Sequence, residues 1–315
     1  ANAALNKIGQ IMETTSYFSE LANFLLNGMG TNLFQKSNNM ISGIAPVFQI
    51  GFGIYILLVA FDYYKRGFDE NVVDLGKRMI GWLLIIAFAF NSSQYQKLAN
   101  IMWMLPENLS GLLGTSTYTA SALDTQSNNI LKMMENIFAY AASLDMLQVS
   151  DKLMLYIGGT VAVILAYLFF LITFAYYLIA KLSLAMVIVI GPMFIGSMLF
   201  PATRQWGMNW IGQILNYSVT VVFYVILGAL QNDFFKNQLE RAVVGEIGSV
   251  AQVVGLIPLF FLSTTIFILV AWSIPSISSA LTGGASVNGF SRTVMSVARW
   301  AKGVKLPGGG KVKPK

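Results

Sequence analysis

The sequence lacks the two side chains that most often carry enzyme chemistry, because its 315 residues include no cysteine and no histidine. A thiol nucleophile, an imidazole base, a Ser-His-Asp triad and a zinc or iron site with Cys or His ligands are therefore excluded. The carboxylates lie outside the apolar runs at dissimilar spacings, and the glycine-rich stretch before Lys311 is no phosphate loop, since Val312 replaces the Ser or Thr. We expect no catalytic residue, no cofactor and no metal, and hence no enzyme.

The residues that stand out instead are those that interrupt apolar runs. Six of them lie close together in the sequence: Gly191, Pro192, Pro201, Arg204, Trp206 and Trp210. Proline removes a backbone donor, and lipid offers no hydrogen bond in exchange, so protein or water must satisfy the freed carbonyls. Trp and Arg are typical of a membrane interface. These six are candidates for a broken helix and its interface, with an ordinary proline-kinked helix as the alternative.

Composition places these residues in a membrane. Hydrophobic residues make up 56% of the chain and charged residues 11%, against roughly 25% charged in an ordinary soluble domain. The apolar runs that predict membrane spans are 37–61, 79–90, 153–180, 205–232 and 256–274. The predicted fold is an all-α polytopic membrane protein with about five spans, a broken or re-entrant segment at 182–203, and amphipathic periplasmic helices.

Two hydrophilic segments carry amphipathic patterns. Residues 1–36 have apolar positions at three- and four-residue spacing and predict a helix that stops near Asn27-Gly28. Residues 97–152 form a central loop whose second half predicts another such helix, with Met133, Met134 and Phe138 on its apolar stripe. Methionine-rich stripes adapt to partners, so these three are partner-contact candidates. For both helices the alternative is packing on the protein's own body.

The carboxyl-terminal segment is strongly basic, since residues 292–315 hold seven Lys or Arg and no acid. The candidates for contact are Arg292, Arg299, Lys302 and Lys305, in a segment whose apolar residues 290, 294, 297, 301 and 304 predict one face of an amphipathic helix. Such a helix is typical of an anionic membrane surface, and binding of transiting nucleic acid is the alternative.

The distribution of basic residues predicts an orientation. The 62–78 loop carries Lys65, Arg66, Lys77 and Arg78, and basic residues in a short loop favour the cytoplasm. With 37–96 as the first two spans and 153–291 as the membrane core, segments 1–36 and 97–152 are then periplasmic and the tail cytoplasmic. A six-span arrangement with both termini in the cytoplasm places the same number of basic residues on the cytoplasmic side, so it remains an alternative.

Two patches of sequence resemble a known family. The first contains Gly191, Pro192, Phe194, Ile195, Phe200, Pro201, Thr203, Arg204, Trp206, Trp210, Gln213, Leu215 and Asn216, and the second spans 273–286. Both look like the TrbL-type polytopic inner-membrane subunit of bacterial type IV secretion and conjugation systems. The resemblance implies a homo-oligomeric ring in the inner membrane that supports pilus biogenesis and DNA or protein transfer. It also implies contacts with pilin, a minor pilin, an inner-membrane scaffold and secretion ATPases.

A secondary transporter is the alternative function, because broken helices at the membrane midplane bind ions and small solutes in such proteins. Two observations weigh against it. The sequence shows no internal repeat, and no Asp, Glu, Lys or Arg lies inside any predicted span other than Lys181 and Arg204 at the ends of the broken segment. Coupled transport usually requires ionisable groups inside the spans. In this interpretation Lys181 sits alone between two apolar runs.

Overall fold

The computed structural model describes residues 16–66, 72–114, 120–145, 147–243 and 249–282, and all regular structure within those ranges is helical. The helices are α1 (Tyr17–Ala22), α2 (Gly28–Arg66), α3 (Val72–Phe90), α4 (Ser92–Leu112), α5 (Ala120–Ser143), α6 (Val149–Val189), α7 (Gly191–Ser197), α8 (Arg204–Val243) and α9 (Val250–Leu281). A π-helical turn, Asn23–Asn27, joins α1 to α2. The prediction of an all-α protein is confirmed.

Four helical stretches are long and apolar enough to cross a bilayer: Gln35–Lys65, Val149–Val189, Arg204–Asn237 and Val250–Leu281. A fifth crossing results if Leu75–Phe90 and Ser92–Leu112 act as one span with an 82° bend between them. This agrees with the predicted arrangement of about five spans. The shortest predicted span, 79–90, lies in α3, the first helix of this bent pair.

Helices α6, α8 and α9 pack together and form the centre of the protein. α8 runs antiparallel to α6, because Trp210 contacts Val187 near one end and Phe235 meets Phe170 further along, with ring centroids 4.7 Å apart. Buried aromatic rings and small residues fill the space between the helices. Lipid supplies no hydrophobic driving force between helices, so close packing of this kind holds them together.

A proline in α9 is accommodated by a side chain of α8. Pro275 has no N–H, so the carbonyl of Ala271 loses its helical partner. The hydroxyl of Tyr224 donates to that carbonyl over 3.0 Å. The freed carbonyl therefore finds its hydrogen-bond donor within the protein, since lipid would offer none.

The amphipathic helix predicted in the central segment is confirmed as part of α5, which lies along α6. Its stripe is buried, with Ile130, Met133, Ile137 and Ala141 almost inaccessible. The two helices approach closely at Gly159, where a Cβ atom would lie 2.7 Å from Cγ2 of Ile137. Small residues permit such approach in membrane bundles.

The amino-terminal helix does not stop near Asn27-Gly28 as predicted, because the chain passes through the π-helical turn and continues as α2. α1 is tied to α5 over a long sequence separation. The carboxylate of Asp124 accepts the backbone N–H of Phe18 at 2.9 Å and that of Ser19 at 3.1 Å. The described part of this segment thus packs on the protein's own body, while residues 1–15 lie outside the described ranges.

The apolar parts of α2 and α3 pair with each other through aromatic rings. The centroids of Phe48 and Phe90 are 5.4 Å apart, and those of Phe52 and Trp82 are 5.5 Å apart. The most apolar 18-residue stretch of Gln35–Lys65 contains no buried residue. This helix therefore presents its surface to lipid or to another protein.

Candidate functional site

The predicted break lies at the end of α6. The helix ends at Val189, and α7 begins at Gly191 after a single turn residue. Residues 182–189 continue α6 without interruption, so the helix breaks at Ile190 rather than at the start of the predicted segment. Because Pro192 cannot donate a hydrogen bond, the carbonyl of Ile188 loses its helical partner.

Two side chains from other helices satisfy the carbonyls at this break. The hydroxyl of Tyr95, on α4, donates to the carbonyl oxygen of Ile188. The indole Nε1–H of Trp210, on α8, donates to the carbonyl oxygen of Val187 over 2.8 Å. A buried carbonyl without a partner costs about 1–3 kcal/mol, so these two bonds make the break tolerable in a membrane. The expectation that protein satisfies the freed carbonyls is met.

Gly191 leaves room for both capping side chains. A Cβ atom at this position would lie 2.6 Å from Cζ2 of Trp210 and closer still to the hydroxyl of Tyr95. Neither ring can move away without losing its bond to α6. The glycine therefore matters here for close approach rather than for an unusual backbone conformation.

Replacing Gly191 with Ala is expected to destabilise the protein by about 1–3 kcal/mol, the usual cost of overpacking a buried site. The added methyl group must displace Tyr95 or Trp210 from its carbonyl. Thermal unfolding of the purified protein in mild detergent measures the effect. Gly81 to Ala is the matched control, because nothing lies within 4 Å of a Cβ atom at position 81. An unchanged transition in the Gly191 variant would contradict the packing described here.

After the break the chain reverses direction through a short, internally bonded segment. The hydroxyl of Ser197 donates to the carbonyl of Phe194 at 2.6 Å, and the hydroxyl of Thr203 donates to the carbonyl of Ser197 at 2.7 Å. α8 then begins against α7, where a Cβ atom at Gly207 would lie 2.7 Å from the carbonyl oxygen of Phe194. The sequence between α6 and α8 is thus a compact turn whose polar groups are paired locally.

The six candidate residues divide into buried and exposed groups. Gly191, Pro192 and Trp210 are buried at the break, and Trp210 is only 5% exposed. Pro201, Arg204 and Trp206 are exposed at the start of α8, and Trp206 is 56% exposed. The exposed group has the character of a membrane interface, whereas Trp210 is a structural cap. Their functional roles stay predictions.

Lys181 is not alone, contrary to the sequence-based interpretation. Its side chain is 1% exposed, and its Nζ donates to Oε1 of Glu107 at 2.5 Å and to the carbonyl of Trp103 at 2.6 Å. The ammonium group also lies 4.0 Å from the centroid of the Trp103 ring. A carboxylate, a carbonyl and an aromatic face together satisfy this buried cation.

The partner was missed because Glu107 was assigned to a hydrophilic loop. In the structure the chain bends by 82° after α3, and α4 folds back along α6. Asn91 caps α4 by accepting the Gln94 N–H at 3.2 Å. The buried positions of the helix are Tyr95, Ala99, Met102, Pro106 and Ser110. Their three- and four-residue spacing was the signal that could have predicted α4.

The other candidate residues lie elsewhere. Met133 is fully buried, and Met134 and Phe138 pack partly buried against the same core, so this stripe contacts the protein's own body. Its contact with partners stays a prediction. Arg292, Arg299, Lys302 and Lys305 lie outside the described residues. Within the described ranges, no cluster of three or more carboxylates is placed to hold a metal ion.

The described residues thus form a polytopic helical protein whose buried polar groups cap breaks and pair one intramembrane charge. Its class is that of a polytopic helical membrane protein. A sequence model described as TrbL/VirB6 plasmid conjugal transfer protein matches residues 52–274, and the chain belongs to this family. The break, Lys181 and Glu107 all lie in the matched range.

Individual relatives agree with the family assignment. The chain is 20% identical over 271 residues to the type IV secretion system protein VirB6 of Bartonella quintana (strain Toulouse). It is 19% identical over 271 residues to the protein of the same name from Bartonella henselae (strain ATCC 49882 / DSM 28221 / CCUG 30454 / Houston 1). Each match covers 85% of this chain and 80% of the relative. The resemblance in the sequence is confirmed, and the chain is a multi-pass inner-membrane subunit of a secretion or conjugation machine.

Proposed function

We propose that this subunit is a channel-forming and assembly-platform component of a type IV secretion machine that supports pilus biogenesis and substrate passage. The observation that carries the proposal is the family match, which runs from residue 52, within α2, to residue 274, within α9. The homologues are named as type IV secretion proteins. Because the sequence offers no catalytic constellation, the energy for transfer comes from partner ATPases.

The lengths of the central helices suit a platform. α6 has 41 residues and α8 has 40. At 1.5 Å per residue, α6 is about 61 Å long, whereas the hydrocarbon core of a bilayer is about 30 Å thick. The hairpin therefore extends well beyond the lipid and can contact pilin, a minor pilin or an inner-membrane scaffold outside it.

A ring of identical copies would explain the open surface of α2. Symmetric oligomers allow a small subunit to enclose a passage wider than its own bundle. The unburied apolar stretch of Gln35–Lys65 provides a surface for such contacts. Glycines at 43 and 53, where a Cβ atom would meet nothing within 4 Å, permit close approach of another helix. The transiting substrate is DNA or protein, and the basic tail is the segment suited to DNA.

Secondary transport is the alternative function, and the observation that bears on it is the ion pair between Lys181 and Glu107. An ion pair inside a membrane protein is a candidate for ion coupling. Here, however, the Lys181 ammonium is closed in by Glu107 and Trp103 and is almost inaccessible. This geometry suits a structural role better than a transport site.

The proposed orientation has the amino terminus in the periplasm and the carboxyl terminus in the cytoplasm. Three exposed positions test it: Leu147 precedes α6 and is 95% exposed, Arg204 begins α8, and Tyr64 lies near the end of α2. In this cysteine-free chain, a cysteine at 147 should react with a membrane-impermeant maleimide in intact spheroplasts. Cysteines at 204 and 64 should react only after lysis. The reverse pattern would overturn the proposed orientation.

Affinity purification tests the functional proposal. The tagged protein, extracted in mild detergent from cells that express the whole system, should bring down pilin and secretion ATPases and migrate as a closed oligomer. A variant that ends after Thr282 is the matched control, because it keeps the described helices and removes the tail. We expect it to retain pilin. A chain that purifies alone as a monomer would argue against an assembly platform.

A further inference from the structure

A groove lies between α2 and α3 and plays no part in the proposed function. Its volume is about 320 Å³, within the range of small-molecule sites. Its walls are almost entirely carbon and include Phe52, Val59 and Ala60 of α2 and Met79, Trp82 and Leu83 of α3. The two helices are antiparallel here, since Phe48 meets Phe90 and Phe52 meets Trp82 while Tyr63 and Leu75 line the other end.

The shape of the groove limits what can occupy it. At one end Phe52 and Tyr55 both contact the ring of Trp82, with centroids 5.5 Å and 5.8 Å apart, and close the space between the helices. An α-helix is about 10–12 Å wide with its side chains and would have to separate these rings. A single hydrocarbon chain fits without disturbing them. The occupant is therefore thin, flexible and apolar.

The location of the groove indicates where such a molecule comes from. The α2 wall belongs to Gln35–Lys65, which is long and apolar enough to cross a bilayer, and the α3 wall belongs to Leu75–Phe90, which meets the same criteria together with α4. α2 is poorly buried there, so protein packing leaves the groove open at the side. Molecules that reach an open apolar groove at this depth come from the surrounding lipid.

Charged side chains surround the end of the groove near the connection between the helices. Arg78 is exposed and lies three residues after Leu75 and four before Trp82, both of which line the groove, so it flanks the same face of α3. Lys65 and Lys77 are exposed nearby, with Asp62 on the last turns of α2. Long basic side chains reach from apolar surfaces to lipid phosphates. The carboxylate of Asp62 is compatible with a headgroup that carries a positive charge as well as the phosphate.

We propose that this groove binds a membrane phospholipid, with one acyl chain between α2 and α3 and the phosphate beside Arg78. The bound acyl chain supplies the packing that α2 and α3 lack between Trp82 and Leu75. The site is independent of which substrate the machine transfers.

Native mass spectrometry of the full chain, released from detergent after mild delipidation, tests the proposal. Defined phosphatidylglycerol, phosphatidylethanolamine and diacylglycerol are titrated in turn. Leu83 to Trp and Ala60 to Trp fill the groove, and Leu84 to Trp is the matched control on a neighbouring, exposed position outside it. We expect one tightly held phospholipid per chain in the wild type and the control, with affinity at least about tenfold lower in the filled variants.

The phosphate contact is tested separately with Arg78 to Gln. This change should lower the affinity for phosphatidylglycerol and for phosphatidylethanolamine by about tenfold. The weak binding of diacylglycerol, which has no phosphate, should not change. Equal lipid retention by the filled variants and the control would overturn the proposal. So would filled variants that bind lipid normally but change oligomeric state, which would make the groove a contact between copies. Diacylglycerol binding as tight as phospholipid binding would overturn the phosphate contact.

Discussion

Replacing Glu107 with Gln is expected to lower the free energy of unfolding by about 3 kcal/mol. The change keeps the size of the side chain but leaves the Lys181 ammonium buried without a counter-charge. Breaking a buried ion pair in this way costs about 3–5 kcal/mol, and we expect the lower end because Glu107 itself is 43% exposed. Unfolding of the detergent-purified protein by titration with a denaturing detergent measures the loss.

Two further variants separate the buried charge from the lost contact. Adding Lys181 to Met in the Glu107 to Gln background removes the uncompensated cation and should restore most of the stability. Glu135 to Gln on the exposed face of α5 is the matched control, with an expected effect within about 0.5 kcal/mol. If the double variant were no more stable than the single one, the burial of charge would not be the cause.

The membrane helices and the break were predictable because their causes are local. Uninterrupted apolar runs at 153–180 and 205–232 predict spans by length alone, and α6 and α8 contain them. Pro192 removes a backbone donor in any context, so a break near it follows from the sequence.

The side chains that complete the site were not predictable by the same means. Tyr95 and Glu107 reach α6 because the chain bends between α3 and α4 and α4 then docks along α6. The polar residues that follow the apolar run 79–90 are typical of the end of a span, whereas Asn91 caps a new helix. Contacts between residues this far apart depend on packing, which a local pattern does not encode.

Burial likewise adds what the pattern of α5 does not contain, namely that the described stripe packs on the protein's own body. An apolar stripe at helical spacing is equally compatible with a partner and with the protein's own core. Gly159 on α6 lets α5 approach closely at Ile137, and Met133, one turn away on the same stripe, is completely buried.

The most direct test of the proposed function is an in-frame deletion in a strain that carries the complete conjugation system. Conjugative transfer and surface pili should be lost together, and both should return when the wild-type chain is supplied from a plasmid. Supplying the stable control variant Gly81 to Ala should restore them as well. If the deletion strain still transferred DNA and produced pili but lost uptake of a solute, transport would replace assembly and passage as the function of this protein.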